Sequence, residues 1–289
     1  MKDKEIAAVI VTHNRLDLLK RCVEALKSQT YQNFDIIIIN NGSSDGSKSW
    51  LDEQDDRIIA IHQDNVGGAG GFYSGQKYAF DNGYEWVWMM DDDGVADNKQ
   101  LEELLSVARK YNLKYLNALV CDIDNKNSLA FGLGLYTSVS ETKGYEILPG
   151  GNPFNGTFVH RSVIQNIGFV KKEMFIWGDE NEYSSRAKVA GYPLTTVTSA
   201  LHYHPRFRGT GFNVIPFINR YKVYMKPFGL SNIYYRNLGY IYHTYRSNKD
   251  IYKIKLLYSI YFIRTLKLRE FQKFITYFNK GAKGDFSNS

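Results

Sequence analysis

Cysteine is almost absent from this chain: Cys22 and Cys121 are the only two. They form neither a disulfide framework nor a cysteine metal motif, which suits a reducing compartment and sets a cytoplasmic expectation. Proline is also scarce, with six in 289 residues, and low-complexity sequence is lacking, so long disordered stretches are not expected. No apolar run approaches the roughly 18 to 20 residues that a membrane-spanning helix needs. The charged start Met1-Lys2-Asp3-Lys4-Glu5 runs directly into an apolar strand, so no signal peptide is expected. Two nucleotide motifs are missing as well. No lysine follows the glycines at 67–71, which excludes the usual phosphate loop. The first strand is followed by Thr12-His13-Asn14-Arg15 rather than by glycines, which argues against a Rossmann dinucleotide site.

What is present is a marked charge asymmetry. Residues 206–289 hold 16 Lys/Arg against 3 Asp/Glu, together with 11 of the 22 tyrosines, whereas residues 1–205 hold 20 against 27. An acidic first part, 1–205, therefore precedes a basic aromatic extension, 206–289. A basic aromatic surface can suit nucleic acid. It suits an anionic membrane surface better, because Tyr and Phe enter the headgroup layer while Lys and Arg meet phosphates. The plain alternative is a helical extension that packs its aromatics internally.

In chain order, residues 6–11 read as a buried strand, and Leu16, Leu19, Val23 and Leu26 recur at helical spacing over 16–28. Residues 34–39 form a second strand, ending in the turn formers Asn40-Asn41-Gly42-Ser43-Ser44-Asp45-Gly46-Ser47. A third strand covers 58–61, followed by a glycine-rich loop at 64–71 and a helix over about 72–82. Such a loop can offer backbone N–H groups to phosphate, or it can be a plain hinge. The fourth strand is Trp86-Val87-Trp88-Met89-Met90, and it runs straight into Asp91-Asp92-Asp93-Gly94. Repeated strand–helix alternation predicts an α/β fold with a parallel sheet, all of whose loops gather on one rim.

The acidic end of that fourth strand is the centre of the reading. Asp91 and Asp93 are two apart, so on extended chain they point the same way. Two carboxylates aimed at one point repel unless a proton or a cation lies between them. A divalent cation that also holds phosphate oxygens meets that demand, whereas a solvated helix-capping turn is the bland reading. Further on, residues 116–120 read as a strand, and the stretch from Phe131 to Gly151 as loops or a hairpin. A second acidic cluster, Asp179-Glu180-Asn181-Glu182, follows Phe175-Ile176-Trp177-Gly178 and leads into a helix over about 181–190. It reads as favourable N-terminal helix charge or as a source of a general base. A strand over 193–201 then ends in His202-Tyr203-His204-Pro205, where two histidines share a face. Residues 206–211 read as a mobile loop, and 214–275 as helices.

Taken together, Thr12 to Arg15, Asn40 to Ser47 and Asp91-Asp92-Asp93 resemble the family 2 glycosyltransferases. The run from Asn65 to Phe72, followed by Trp86 to Asp93, is similar to their bacterial galactofuranosyltransferase branch, and so is Tyr234-Tyr235-Arg236-Asn237. The resemblance covers roughly residues 6–205. It implies a GT-A fold, a nucleotide-sugar donor, inversion at the anomeric carbon and a divalent metal, Mn²⁺ or Mg²⁺. It places Thr12, Asn14, Arg15, Asn40, Asn41, Gly68, Asp91 and Asp92 at the donor. It gives the metal to Asp91 and Asp93, with His204 ahead of His202. Glu180 is the implied base and Asp179 the alternative, with Glu182 or Arg186 on the acceptor. Asn155-Gly156-Thr157 matches a segment beneath the sugars or is simply a turn. Asn40 stands where many relatives carry an aspartate that reads uracil, which leaves the base open. The implied donor is UDP-galactofuranose, with dTDP-rhamnose the runner-up. The implied acceptor is a lipid-linked surface glycan, met by an enzyme peripheral to the inner face of the membrane and not bound to nucleic acid. A nucleotidyltransferase would need more basic residues in its first loop than Arg15 alone. A non-catalytic nucleotide-sugar-binding protein would not need the second acidic cluster.

Overall fold

The computed structural model describes residues 5–206 and 211–287. The chain divides into two compact units, the first comprising residues 1–172 and 183–207, the second 173–182 and 208–289.

The first unit opens as the apolar runs dictate. Strand β1 (Ile6–Thr12) is buried along its whole length, as a strand covered on both faces must be. Helix α1 (Leu16–Lys27) buries Leu19, Cys22, Val23 and Leu26. Strand β2 (Phe34–Asn41), helix α2 (Ser47–Asp52), strand β3 (Ile58–Gln63), helix α3 (Gly67–Asp81) and strand β4 (Trp86–Asp91) complete the alternation. The pairings β1–β2, β2–β3 and β1–β4 are all parallel.

Beyond β4 the strict alternation ends. Strand β5 (Val95–Ala96), helix α4 (Gln100–Tyr111), strand β6 (Tyr115–Asp122), the hairpin of β7 (Ser128–Leu133) with β8 (Tyr136–Ser138), strand β9 (Ile147–Pro149) and strand β10 (Asn155–His160) come next. Then follow helix α5 (Arg161–Ile167), helix α6 (Asp179–Val189) and strand β11 (Thr195–His204). The main path of the sheet runs β3-β2-β1-β4-β10-β6-β11-β5. β10 enters antiparallel between β4 and β6, so the sheet is mixed rather than wholly parallel. Trp86 stacks flat on Phe158 across that junction, with ring centroids 4.3 Å apart. Residues 155–157, read as a possible turn, lie in strand β10.

The glycine-rich segment departs from its expected loop form. Gly67 to Gly71 are the first turn and a half of α3. The reason lies in packing: a Cβ at Gly71 would overlap Val11 Cγ1, and one at Gly75 would overlap Val9 Cγ1. The bare glycine face lets α3 lie directly on β1, and tertiary contact overrides glycine's low helix propensity.

The second unit departs too. Instead of helices from 214 onward, its C-terminal part has an antiparallel hairpin, β12 (Gly211–Ile215) and β13 (Ile218–Tyr224). Helices α7 (Ser231–Tyr245), α8 (Asn248–Arg264) and α9 (Leu268–Ala282) follow. Of the expected mobile loop, residues 207–210 lie outside the described residues. Tyr235, Tyr258, Tyr261, Phe262, Phe274 and Phe278 build this unit's own core. Helices α7 and α9 touch backbone to backbone, because a Cβ on Gly239 would strike the Phe278 carbonyl and one on Gly281 the Arg236 carbonyl. Neither backbone can yield as a side chain would. Gly239→Ala is therefore expected to destabilise the protein by about 1–3 kcal/mol, the usual cost of overpacking, seen as a lowered melting midpoint. An unchanged midpoint would mean that the helices are not in this contact.

Candidate active site

The segments at the carboxyl ends of β1, β2, β3, β4 and β11 meet on one rim of the first unit. Asp91 closes β4, and its N–H donates to Phe154 O at 3.1 Å, which brings the start of β10 alongside. The turn after Asp91 leads into β5, and β5 pairs antiparallel with β11 through His202–Ala96 and Tyr203–Val95. That pairing delivers the end of β11 to the acidic turn. His204 Nε2 lies 3.1 Å from Asp93 Oδ1. One ligand atom from each of Asp91, Asp93 and His204 lies within 4.8 Å of the others.

This trio suits a divalent cation on two further observations. His204 Nδ1 is 2.7 Å from Pro205 O, a contact that uses the Nδ1 proton and turns the Nε2 lone pair toward Asp93. Asp93 Oδ1 is buried, and His204 Nε2 is the polar atom that faces it. A lone pair facing a carboxylate oxygen is repulsive until a proton or a metal lies between them. Burial works against a charged imidazole, but the bond and charge of Asp93 outweigh it and raise the His204 pKa. Burial would raise the Asp93 carboxyl, yet His204 and Arg15 hold it below its usual value. Two carboxylates and one imidazole form a hard donor set appropriate to Mg²⁺ or Mn²⁺.

Asp92 does a different job from its neighbours. It is 3% exposed. It accepts from Thr12 Oγ1 at 2.7 Å and from Arg15 NH1 at 3.1 Å. Arg15 NH1 also reaches Asp93 Oδ2 at 3.2 Å. Burial raises the Asp92 pKa even though Thr12 and Arg15 oppose it. Thr12 and Asp92 thus brace the acidic turn from beneath, and Arg15 spans from that brace to the exposed rim.

The asparagines of β2 are likewise turned inward. Asn40 and Asn41 are buried. The Asn40 amide is 3.0 Å from His62 Nδ1, and its Oδ1 accepts from Ser43 N at 3.2 Å. Asn41 donates to Gly67 O at 3.0 Å and accepts from Gln63 Nε2 at 2.9 Å and Val66 N at 3.2 Å. Asn14, held at φ 53°, accepts from Ser44 N at 2.7 Å and so ties the first exit loop to the second. Gly68, in the first turn of α3, has open space where a side chain would be.

His202 and His204 share a strand but not an environment. His202 is fully buried one step below the rim, against Gly94, with Nδ1 3.3 Å from Gln100 Oε1. Burial pushes its pKa down to about 3, with the charge of His204 adding to the effect, and it stands outside the Asp91–Asp93–His204 cluster. His13 is a rim residue that sequence reasoning passed over. Its Nδ1 is 2.9 Å from Asn41 O, and its Nε2 is 3.3 Å from the amide nitrogens of both Asn14 and Asn65. No spacing rule picks it out, because its neighbours come from three separate loops.

The second acidic cluster belongs to the second unit. Asp179 and Glu180 open α6 just after Phe175 at φ 63°, Trp177 at φ 60° and Gly178 at φ 100°. Non-glycine residues at positive φ cost about 1–3 kcal/mol each and persist only where their surroundings enforce them. Here α7 enforces them. The buried Asn237 amide donates to Met174 O, Ile176 O and Trp177 O at 2.8–3.0 Å. Arg236 NH2 donates to Glu173 O at 2.9 Å. Lys226 Nζ sits 4.9 Å from the Trp177 ring centroid. Gly178 N donates to Glu180 Oε2 at 3.0 Å, fixing the carboxylate of the candidate base. The two acceptor-side expectations are not met by free side chains. Glu182 is fully buried and accepts from Tyr245 OH at 2.8 Å, while Arg186 donates to Ile167 O and Phe169 O.

A mixed sheet with its loops on one rim and an acidic turn closed by a histidine fit a GT-A fold. Comparison with known proteins agrees. Residues 7–132 match the family model described as glycosyl transferase family 2. The chain is 34% identical over 250 residues to the galactofuranosyltransferase GlfT1 of Mycobacterium tuberculosis (strain ATCC 25618 / H37Rv), covering 82% of each chain. It is 32% identical to the GlfT1 of Mycolicibacterium smegmatis over 69% of this chain and 70% of that one. Among solved structures, S. aureus TarS 1-349 superposes with a TM-score of 0.61 at 12% identity, over 96% of this chain and 80% of that one, a likeness of fold. The chain belongs to glycosyltransferase family 2, and it is a glycosyltransferase.

Proposed function

We propose that the chain transfers galactofuranose from UDP-galactofuranose to a hydroxyl of a lipid-linked cell-surface glycan, with inversion and with the help of Mn²⁺ or Mg²⁺. The observation that carries this reading is the identity with proteins named galactofuranosyltransferase across 82% of the chain. Asp91, Asp93 and His204 would hold the metal, which would supply charge neutralisation at the donor diphosphate. The remaining steps fall to the chain's own groups. Thr12, Arg15 and Asp92 keep the acidic turn rigid, so that its carboxylates are preorganised. His13, Asn14, Asn65 and the first turn of α3 line the rim that takes the nucleotide and its phosphates. Glu180 removes the proton of the acceptor hydroxyl as that oxygen bonds to the anomeric carbon. The glycosidic bond to phosphate breaks with its electron pair leaving on UDP. Asn237 and Arg236 hold the segment that presents Glu180.

The test is a donor panel on the purified full chain with manganese and a glycan acceptor. UDP release from UDP-galactofuranose should exceed nucleotide release from UDP-galactopyranose or dTDP-rhamnose by about tenfold or more. Faster turnover of dTDP-rhamnose would make the enzyme a rhamnosyltransferase. Tight nucleotide binding without turnover of any donor would make it a binding protein.

The same reading puts the second unit on the inner face of an anionic membrane. Among the described residues no helix is long and apolar enough to cross a membrane. Of the tyrosines expected to enter the headgroups, Tyr235, Tyr258 and Tyr261 are core residues, and Tyr221, Tyr234, Tyr242 and Tyr277 pack against that core. The most exposed apolar groups of this unit are Phe217 at the hairpin tip, Tyr252, Leu256 and Ile263 along α8, and Leu266 and Leu268 after it. Each basic residue near such a surface contributes about 1 kcal/mol within a Debye length. Flotation should show binding to phosphatidylglycerol vesicles at low salt, release at high salt and little binding to neutral vesicles. Equal binding to both vesicle types, or to neither, would contradict it.

A further inference from the structure

The second unit contains a cavity of about 430 Å³ that the transfer chemistry does not use. Its walls come from β13, α7 and α8. Arg220 and Lys222 project from β13, Arg246 follows α7, and Lys253 lies on α8. None of these four cations is in an ion pair with any described residue. The single acid in the lining, Asp250, accepts from Ser247 Oγ at 2.6 Å, and its charge is also felt by Lys253 and Arg246. Four exposed cations set against one acid leave the hollow with an excess of positive charge, an arrangement whose natural complement is an anion.

The floor narrows the anion further. Tyr234, Tyr242 and Tyr258 line it, with Leu238 and Leu257 between them. Tyr258 OH is fixed by donating to Tyr224 O at 2.7 Å. Its volume is within the range of small-molecule sites, and rigid aromatic faces beside cations take a ligand that joins charge to apolar surface. Inorganic salt would leave the rings unused. A phosphate diester or diphosphate attached to a sugar or an isoprenoid would use both.

We propose that this cavity binds the phosphate group that joins the acceptor's glycan to its lipid, separately from the donor's diphosphate at the acidic turn. The proposal rests on the reading of the acceptor as a lipid-linked glycan. It assigns Arg220, Lys222, Arg246 and Lys253 the charge recognition, and the tyrosines the first group attached to the phosphate.

The test uses the full chain in EDTA with saturating UDP, so that the donor site is occupied and stripped of metal. Geranyl diphosphate and inorganic pyrophosphate are titrated in by calorimetry against wild type and Arg246→Gln/Lys253→Gln. Wild type should bind geranyl diphosphate more tightly than pyrophosphate. The variant should bind it about tenfold or more weakly, as loss of two charge-assisted contacts implies. With a prenyl-diphosphate glycan acceptor its KM should rise by a similar factor at unchanged kcat, while UDP affinity and transfer to a soluble, phosphate-free acceptor stay at the wild-type level. Equal binding of geranyl diphosphate by wild type and variant, or by neither, overturns the proposal. Preference for pyrophosphate over geranyl diphosphate overturns it too, leaving a free-phosphate site. A loss of binding to phosphatidylglycerol vesicles in the variant with no change toward geranyl diphosphate would assign the cations to the bilayer instead. If wild type transfers no galactofuranose at all, the proposed function fails while the binding result still stands.

Discussion

Asp93→Ala is expected to reduce transfer by about 10³-fold or more, the several kcal/mol that a metal contributes to charge stabilisation. Asp93 is shared by the Asp91–Asp93–His204 cluster and by Arg15. The loss should not be one of folding, because Arg15 retains Asp92 at 3.1 Å and Asp92 retains Thr12. Calorimetry separates the causes. With manganese present, UDP binding to Asp93→Ala should be weaker than to wild type, and in EDTA the two proteins should bind UDP alike. Equal affinities in manganese, or full activity of wild type in EDTA, would remove the metal from the account.

Glu180→Gln should lower turnover by about 10²–10⁴ with donor binding nearly unchanged, since glutamine keeps the size but cannot accept the proton. Gly178 N can still donate to the amide oxygen, so the loop geometry is preserved. Asp179→Asn serves as the comparison. If it shows the large loss and Glu180→Gln does not, the base is Asp179. The structure ties this cluster to α7 through Asn237, whose amide reaches three carbonyls of the preceding loop.

The parts of the fold that could be read from the chain are those set by local pattern. The runs at 6–11, 34–39 and 86–90 are so uniformly apolar that only buried strands suit them, and both the helix at 16–28 and its buried face follow from the spacing of Leu19, Val23 and Leu26. What could not be read depends on partners distant in sequence. Gly67 to Gly71 look like a loop until Val9 and Val11 are set against them. The hairpin at 211–224 is hidden because its strands are short and mix polar, basic and aromatic residues without a long apolar run. The roles within the acidic triplet were equally hidden. Only β5, two residues long, brings His204 to Asp93, and only the third dimension shows Asp92 buried over Thr12. Asn40 and Asn41 look like free loop amides in the sequence, yet the loops fold back onto them. The tyrosines of the extension could equally have been surface anchors or core, and burial of Tyr235, Tyr258 and Tyr261 makes those three core.

The central claim, inverting metal-assisted transfer of galactofuranose, is tested most directly by the anomeric configuration of the product. The full chain is incubated with UDP-galactofuranose and a glycan acceptor, with manganese or with EDTA, and the new linkage is read by nuclear magnetic resonance. A galactofuranosyl residue of inverted anomeric configuration, formed with manganese and absent in EDTA, is the predicted result. A retained configuration, or a product formed equally well in EDTA, would contradict it.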